Sequence, residues 1–342
     1  MIGRKIMSKF GYILRCIKSM SYKGLFDTVN DVHNISGRNR VGLFFDIVYC
    51  GLKYGAGYKD YRLNEWWTLN RKQRGTYVTR GINNSIIKKC NNPEYYHLLN
   101  DKIDFNNFFG ELLGRKWINL KEANESDFEA FMSEFDTVIA KPIADACGRG
   151  VEKINKSDYE SISALYSYLL ETERYLVEEC IIQHEEISKI YPHSVNTLRI
   201  VTIKSREGEP NILYAFIRIG NGGRVVDNIN AGGMAAPIEL ESGVINNVAF
   251  DKDSKYYENH PQTGNPIVGV KIPMWKEATE LVIKAAKRIP ELGYVGWDVA
   301  ITTNGPVFVE GNQHPGHDIL QMPPHVPDKI GMLPRIKTFI DI

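Results

Sequence analysis

The stretch GWDVAITTNGPVFVEGN, residues 296–312, decides how this chain is read. It predicts two short apolar strands, YVGWDVAIT and PVFVEGN, joined by the tight polar turn Thr303-Asn304-Gly305-Pro306. Asp298 interrupts the first strand, and the second ends in Glu310 with Asn312 two positions on. Side chains alternate across a strand, so Glu310 and Asn312 project to one face, and a hairpin partner brings Asp298 beside them. Two carboxylates and an amide oxygen on one sheet face form an oxygen-only ligand set suited to Mg²⁺. The plainer alternative, a pair of solvent-facing acids, fits strands this apolar poorly.

Composition bounds the rest. A chain of 342 residues, 43% hydrophobic and 24% charged, suits an ordinary globular protein of one large or two to three small domains. Its net charge of +1 gives no global pull toward nucleic acid, and no nucleic-acid partner is expected. The five cysteines, Cys16, Cys50, Cys90, Cys147 and Cys180, are scattered without a CxxC or Cys/His spacing. They read as free thiols in a reducing compartment. With no stretch of 18 apolar residues and no signal-peptide core, the expected location is the cytoplasm. Charge is uneven, however. Between Met1 and Gly24 stand six basic residues, with no acid before Asp27. Ile6, Phe10, Ile13, Ile17 and Met20 recur at helical spacing, with Arg4, Arg15 and Lys18 near the opposite side. Residues 1–20 therefore predict a basic amphipathic helix that either meets an anionic membrane, at its inner face, or packs on the protein with a solvated basic side.

Three regions follow from the texture. Residues 1–95 mix helical patches with turn-like stretches carrying aromatic anchors, GAGYKDYRLNEWW and RGTYVTRG. Residues 96–183 and 184–342 alternate strands and helices. KWINL (116–120), TVIAKPI (137–143), GVEKINK (150–156), RYLVEECII, TLRIVTIKS, ILYAFIRIG and GVINNVAF read as strands. ESDFEAFMSEF, SDYESISALYSYLLETE (157–173, capped by Ser157) and PMWKEATELVIKAAKRIPEL (273–292, Pro273 in its first turn) read as helices. Hairpins mixed with helices argue an α+β fold with an antiparallel sheet holding the site.

Other segments carry chemistry with less specificity. KPIADACGRGV places Lys141 at a strand end before a loop with Gly148-Arg149-Gly150. Glycines let backbone N–H groups turn to a phosphate, but many hairpins also close with glycine. Arg149 meets phosphate or simply faces water. YLVEECIIQHEE suits an adenine edge followed by an acid for ribose, Glu185 or Glu186; it equally suits a strand entering an acid-rich helix start. Arg199 and Arg218 lie on apolar strands, where a buried arginine needs a carboxylate or a phosphate. Asp227-Asn228, ahead of Gly232-Gly233, poses the same question.

Taken in order, these segments resemble the ATP-grasp fold over about residues 97–320. The run is Lys102 in LNDK, Lys141 with its glycine loop, Val177–Glu179, Arg199, then Asp298 and Glu310-x-Asn312. The resemblance implies two α+β subdomains gripping ATP. Lys102 and Lys141 would contact the phosphates, with Cys147, Gly148, Arg149 and Gly150 as the covering loop. Glu178, Glu179 and Ile181 would frame the adenine, and Glu185 would meet the ribose. Asp298, Glu310 and Asn312 would bind Mg²⁺, two ions in such enzymes. Gly296 occupies the position where D-alanine ligases place an arginine, so Arg199 or Arg218 would stabilise the transition state instead.

A narrower likeness lies in QHEEISKIYPHSVNTLRIVT, the DNxxxGG stretch (227–233), HPQTGNPIVGVKIPMW (260–275) and GPVFVEGNQHPG. These are similar to sugar-transfer-associated ATP-grasp proteins of the teichuronopeptide-biosynthesis type, which have a divergent N-terminal region. The resemblance implies an ATP-dependent carboxylate–amine ligase working through an acyl phosphate, with ADP and phosphate released. It implies an amino acid and a sugar as carboxylate and amine partners in capsule or surface-polysaccharide synthesis. A peptide ligase for a small natural product and a nucleotide-binding scaffold without turnover are the alternatives. No Ser/His/Asp or Cys/His constellation is present, and His184 is read as a packing residue or an acceptor of the amine proton.

Overall fold

Helix starts in the N-terminal part are written in single side chains. Ser21 accepts a hydrogen bond from the Gly24 N–H and opens α1 (Tyr22–Ser36). Asn39 does the same for α2 (Arg40–Tyr54), and both helices end on left-handed glycines, Gly37 and Gly55. The computed structural model describes residues 21–143, 150–223, 227 and 232–342. The segment 1–20 and the loop residues Cys147, Gly148, Arg149 and Asn228 lie outside the described residues.

The chain forms two compact units: Met1–Ile86 with His317–Thr338, and Ile87–Gly316 with Phe339–Ile342. In the first, α1 and α2 pack with α3 (Tyr58–Leu63) around buried Leu25, Val29, Leu43, Ile47, Tyr61, Trp66 and Tyr77. The stretch GAGYKDYRLNEWW thus holds a helix and a 3-10 turn (Trp66–Thr68) rather than loop alone. Buried Arg74 clamps Asp46 with two 2.7 Å bonds and also donates to the Trp66 carbonyl. Residues 317–338, which the sequence assigns to the last subdomain, join this unit instead. Gln321 exchanges hydrogen bonds with the Val78 backbone at 2.7 and 2.9 Å, and Leu333 N–H donates to Thr76.

The second unit is α+β. After α4 (Arg80–Cys90), which runs in from the first unit, and α5 (Lys102–Phe109), four strands form an antiparallel sheet in the order β1-β4-β2-β3. These are β1 (Trp117–Asn119), β2 (Thr137–Lys141), β3 (Glu152–Asn155) and β4 (Leu176–Glu179). Helices α6 (Glu125–Met132) and α7 (Ile162–Glu171) supply its core with Phe128, Met132, Leu165 and Leu169. Helix α7 is capped by Ser161, not Ser157, because residues 156–158 form a 3-10 turn first.

A seven-stranded antiparallel sheet follows α8 (Glu185–Ile190), in the order β11-β10-β5-β6-β7-β8-β9. Its strands are β5 (Leu198–Lys204), β6 (Pro210–Ile219), β7 (Met234–Ile238), β8 (Ala249–Asp251), β9 (Tyr256–Tyr257), β10 (Tyr294–Thr302) and β11 (Gly305–Asn312). Helix α9 (Trp275–Arg288) covers one face with Ala278, Val282 and Ala285. It begins after a left-handed Met274, so Pro273 falls outside the first turn, and it stops two residues short of Pro290. Trp297, Val299 and Phe308 point into this core. The opposite face carries the polar residues of interest.

Candidate functional site

The predicted hairpin forms, with Asp298 directly opposite Glu310 and Gly296 opposite Asn312. One irregularity decides its chemistry. The register pairs Val299 with Phe308 and Asp298 with Glu310, so Val309 is an extra residue in β11. In an unbroken strand Phe308 and Glu310 would share a face; the bulge sends Phe308 into the core and Glu310 to the side of Asp298.

Strand β5 lies on the other side of β10, with Arg199 opposite Asp298, and β6 places Phe216 opposite Arg199 with Arg218 two residues on. Both arginines therefore reach the same acid. Arg199 grips Asp298 through Nε to Oδ1 and through Nη2 to Oδ2 at 2.9 Å. Arg218 donates to Oδ2 at 2.5 Å and to Thr197 Oγ1 at 3.0 Å. Asp227 stands 3.6 Å from Arg218 and accepts from the Thr197 N–H at 2.8 Å. A glycine makes room for this. A Cβ at Gly296 would lie 2.9 Å from Arg199 Cδ and 3.4 Å from Pro315 Cβ.

The charges sort themselves by position. Asp298 is fully buried; burial alone would raise its pKa, but Arg199 and then Arg218 outweigh this and hold it down at about 2. Burial works against the charge on Arg218 too, and Asp227, Asp298 and Glu310 more than offset it. Glu310 is exposed as a residue, yet its carboxyl is crowded by protein. That desolvation, followed by the Asp298 carboxylate beside it, pushes its pKa up to about 7. Two adjacent acids have thus been separated, one always charged and one half-protonated near neutrality.

Of the expected metal ligands, Asp298 spends both oxygens on arginines, and Asn312 Oδ1 accepts from the His314 N–H at 2.7 Å. Glu310 shares a hydrogen bond with the Asp298 carboxyl. Among the described residues no group of three or more His, Cys, Asp or Glu side chains is arranged to hold a metal. The set of two acids and an amide still fits a hard cation in its chemistry. A dication beside Glu310 would replace the proton that Asp298 now favours there.

A second buried cluster belongs to the small sheet. Glu178 pairs with Arg115 Nη1 at 2.6 Å and with Lys141 Nζ, and Asn106 donates to it at 3.3 Å. Burial would raise the Glu178 pKa, but Arg115 and Lys141 hold it down at about 2. Arg115 also donates to the Phe308 carbonyl at 2.9 Å, and the Phe308 N–H returns a bond to Leu113. The bulged strand of the large sheet is therefore tied to the acid of the small one. Gly114 (φ +70°) makes that approach, since a Cβ there would come 2.9 Å from Val307 Cγ1.

Lys102 opens α5 and donates to the carbonyls of Pro142 and Ile143 at 3.2 and 3.3 Å, so it meets the chain just after Lys141. Gly150, with φ +70°, resumes the chain after the undescribed loop residues. The expected adenine edge lies at the end of β4, where Glu178 is paired with Trp117 on one side and Ile139 on the other, and the Glu179 N–H donates to the Lys116 carbonyl. The chain leaves the sheet only at Cys180 and Ile181. Glu185 is exposed in the first turn of α8, whose N-cap is His184. The His184 N–H donates to Ile301 at 2.7 Å, and Gln183 bridges Thr302, fastening this crossover to β10. Arg115 and Asn106 were not legible in the sequence, because their partner Glu178 follows Arg115 by 63 residues. The missing side chain at Gly296 was visible, but not the arginine that uses it.

The model of the family described as sugar-transfer associated ATP-grasp matches residues 81–339. No curated protein matches the sequence. Among solved structures the chain is similar to D-alanine–D-alanine ligase from Bacillus anthracis, at 12% identity and a TM-score of 0.41, covering 78% of this chain and 75% of that one. It is also similar to the ATP-grasp ligase PsnB complexed with precursor peptide PsnA2 and AMPPNP, at 14% identity and a TM-score of 0.36, covering 66% and 53%. A third is N5-carboxyaminoimidazole ribonucleotide synthetase from Thermus thermophilus, at 12% identity and a TM-score of 0.39, covering 64% and 46%. The chain spans about half the length of the last two.

Proposed function

This chain belongs to the sugar-transfer associated ATP-grasp family and has the ATP-grasp fold, and from that premise we propose that it is an ATP-dependent carboxylate–amine ligase releasing ADP and phosphate. The observation that carries the reading is the polar face of the large sheet. Two arginines converge there on one permanently ionised acid, beside a second acid poised near neutral pH. That is an arrangement for anionic groups and a dication, which a packing network alone would not require.

In this reading a substrate carboxylate oxygen attacks the γ-phosphorus of ATP, the bond to the β-phosphate oxygen breaks, and ADP leaves. An amine then attacks the acyl carbon, inorganic phosphate departs, and the nitrogen gives up one proton. Asp298 holds Arg199 and Arg218 in place, so their remaining N–H donors would be oriented toward negative charge that develops on the acyl oxygens. Lys141 and Lys102, gathered at residues 141–143, would hold the phosphates. Glu178 and Glu179 at the end of β4, with Ile181 just beyond it, would frame the adenine. Glu310 and Asn312, with Asp298 behind them, would hold Mg²⁺, which when bound would neutralise charge on the terminal phosphates. Near pH 7 Glu310 would give up its proton on that occasion.

For the acceptor and donor, an amino acid and a carboxylate- or amine-bearing sugar of a surface polysaccharide remain our reading, resting on the family's description. The test is an ADP-release screen of amino acids against uronic acids and nucleotide sugars. Turnover requiring one member of each set supports the reading; turnover with peptides alone redirects it to a peptide ligase.

A further inference from the structure

Helix α2 is apolar on two opposite sides. Leu43, Ile47 and Cys50 enter the core of the first unit. Val41, Phe45, Tyr49 and Leu52, spaced by four, four and three residues, form a stripe on the other side. That stripe is solvent-facing, with Val41 and Phe45 each 64% exposed and Leu52 50%. Phe26 of α1, 55% exposed, extends it, stacking on Phe44 at 5.9 Å while Phe44 meets Phe45 edge-on at 5.5 Å. An aromatic and aliphatic ridge across a helical hairpin is unusual on a folded surface and marks a contact.

Charge identifies the contact. Residues 1–86 carry fifteen Lys and Arg against five Asp and Glu, a net charge of +10, while the remainder carries 27 against 36. A chain that is nearly neutral overall is thus strongly basic in the part that bears the ridge. Lys23, Arg38, Arg40 and Lys53 are exposed on or beside the hairpin. Lys53 Nζ lies over the Tyr49 ring and donates to its hydroxyl at 2.9 Å, an aliphatic stem along the apolar stripe with its charge at the edge. Two of the hairpin's acids are neutralised within the unit, Asp31 by Arg62 and Asp46 by Arg74.

We propose that the outer face of the α1–α2 hairpin docks on an anionic lipid bilayer, with Phe26, Val41, Phe45 and Leu52 entering the interface and the surrounding cations meeting the headgroups. This holds whether or not the ligase reading does, since no residue of the polar sheet face takes part.

The test is co-sedimentation of the full-length chain with phosphatidylglycerol-containing vesicles and with pure phosphatidylcholine vesicles, across a salt series. Wild type is expected to bind the anionic vesicles and to release them as salt rises. Phe45→Ser with Leu52→Ser is expected to bind about tenfold more weakly or less, at an unchanged melting temperature, as two lost apolar insertions require. Lys53→Glu with Arg40→Glu is expected to weaken binding to the anionic vesicles and to make what remains less sensitive to salt. Equal binding by wild type and the Ser variant overturns the proposal, as does absence of vesicle binding at low salt. A melting temperature that falls in the Ser variant would mean that the chain's own residues 1–20 cover the ridge. A wild-type dimer that the Ser variant breaks would mean that a second copy does. Either would overturn the lipid assignment.

Discussion

Gly296 and Arg199 are complementary: the side chain absent from one is the space the other occupies. A methyl at 296 would sit 2.9 Å from Arg199 Cδ and 3.3 Å from Nη1. Strand β5, the neighbour of β10, supplies the arginine that fills this space. Gly296→Ala should therefore push Arg199 off Asp298. The expected cost is about 1–3 kcal/mol of stability, with a larger proportional loss of turnover than of ATP affinity. Urea unfolding and steady-state kinetics on the same variant check both.

Arg115 joins the two sheets through Glu178 and the Phe308 carbonyl. Arg115→Met should destabilise by roughly 3–5 kcal/mol, because it strands much of the charge on buried Glu178. Adding Glu178→Gln should recover part of that loss, which a double-mutant cycle by chemical denaturation measures. Additive losses would mean that the two residues act separately.

Lys141 has a structural partner as well as a proposed phosphate role. Lys141→Met should lower the melting temperature of the free protein, since Glu178 loses one of its two cations. It should also lose most of the stabilisation that Mg-ATP gives wild type. A full nucleotide response in the variant would move the phosphate site away from Lys141.

Glu310 sets a pH dependence. Its pKa is raised from about 4.5 to about 7 in the folded state, so the native protein holds a proton that the unfolded chain releases. Stability from this group is present below pH 4.5 and is lost as pH rises toward 7. Glu310→Gln should flatten that part of the stability profile. Mg²⁺ must displace the same proton, so Mg²⁺ affinity should rise between pH 6 and 8 in wild type and stay level in the variant, as calorimetry at several pH values would register.

The chain's order of lysine, glycine loop, arginine strand and acid hairpin was legible, and the ATP-grasp resemblance it suggested holds in the family match over residues 81–339. The hairpin itself was legible, but Asp298 comes opposite Glu310 only through the extra residue in β11. The bulge at Val309 was not legible, since nothing local in PVFVEGN distinguishes a regular strand from one with an extra residue. Long-range ion pairs were hidden for a related reason. Arg199 and Asp298 are 99 residues apart, and only the sheet order makes them neighbours. The pairing of residues 317–338 with the N-terminal part was not legible, because polar contacts such as Gln321 with Val78 leave no periodic trace.

The central claim, that this sheet face supports phosphoryl transfer to a carboxylate, is tested most directly by ³¹P NMR of ATP turnover. The protein would be incubated with Mg-ATP and the amino acid and uronic acid pools. ADP and inorganic phosphate should accumulate, and Glu310→Gln should slow them roughly a hundredfold or more while binding ATP with much less change. An ¹⁸O-labelled carboxylate should pass one label to the phosphate. Accumulation of AMP and pyrophosphate, or phosphate without label, would contradict the account.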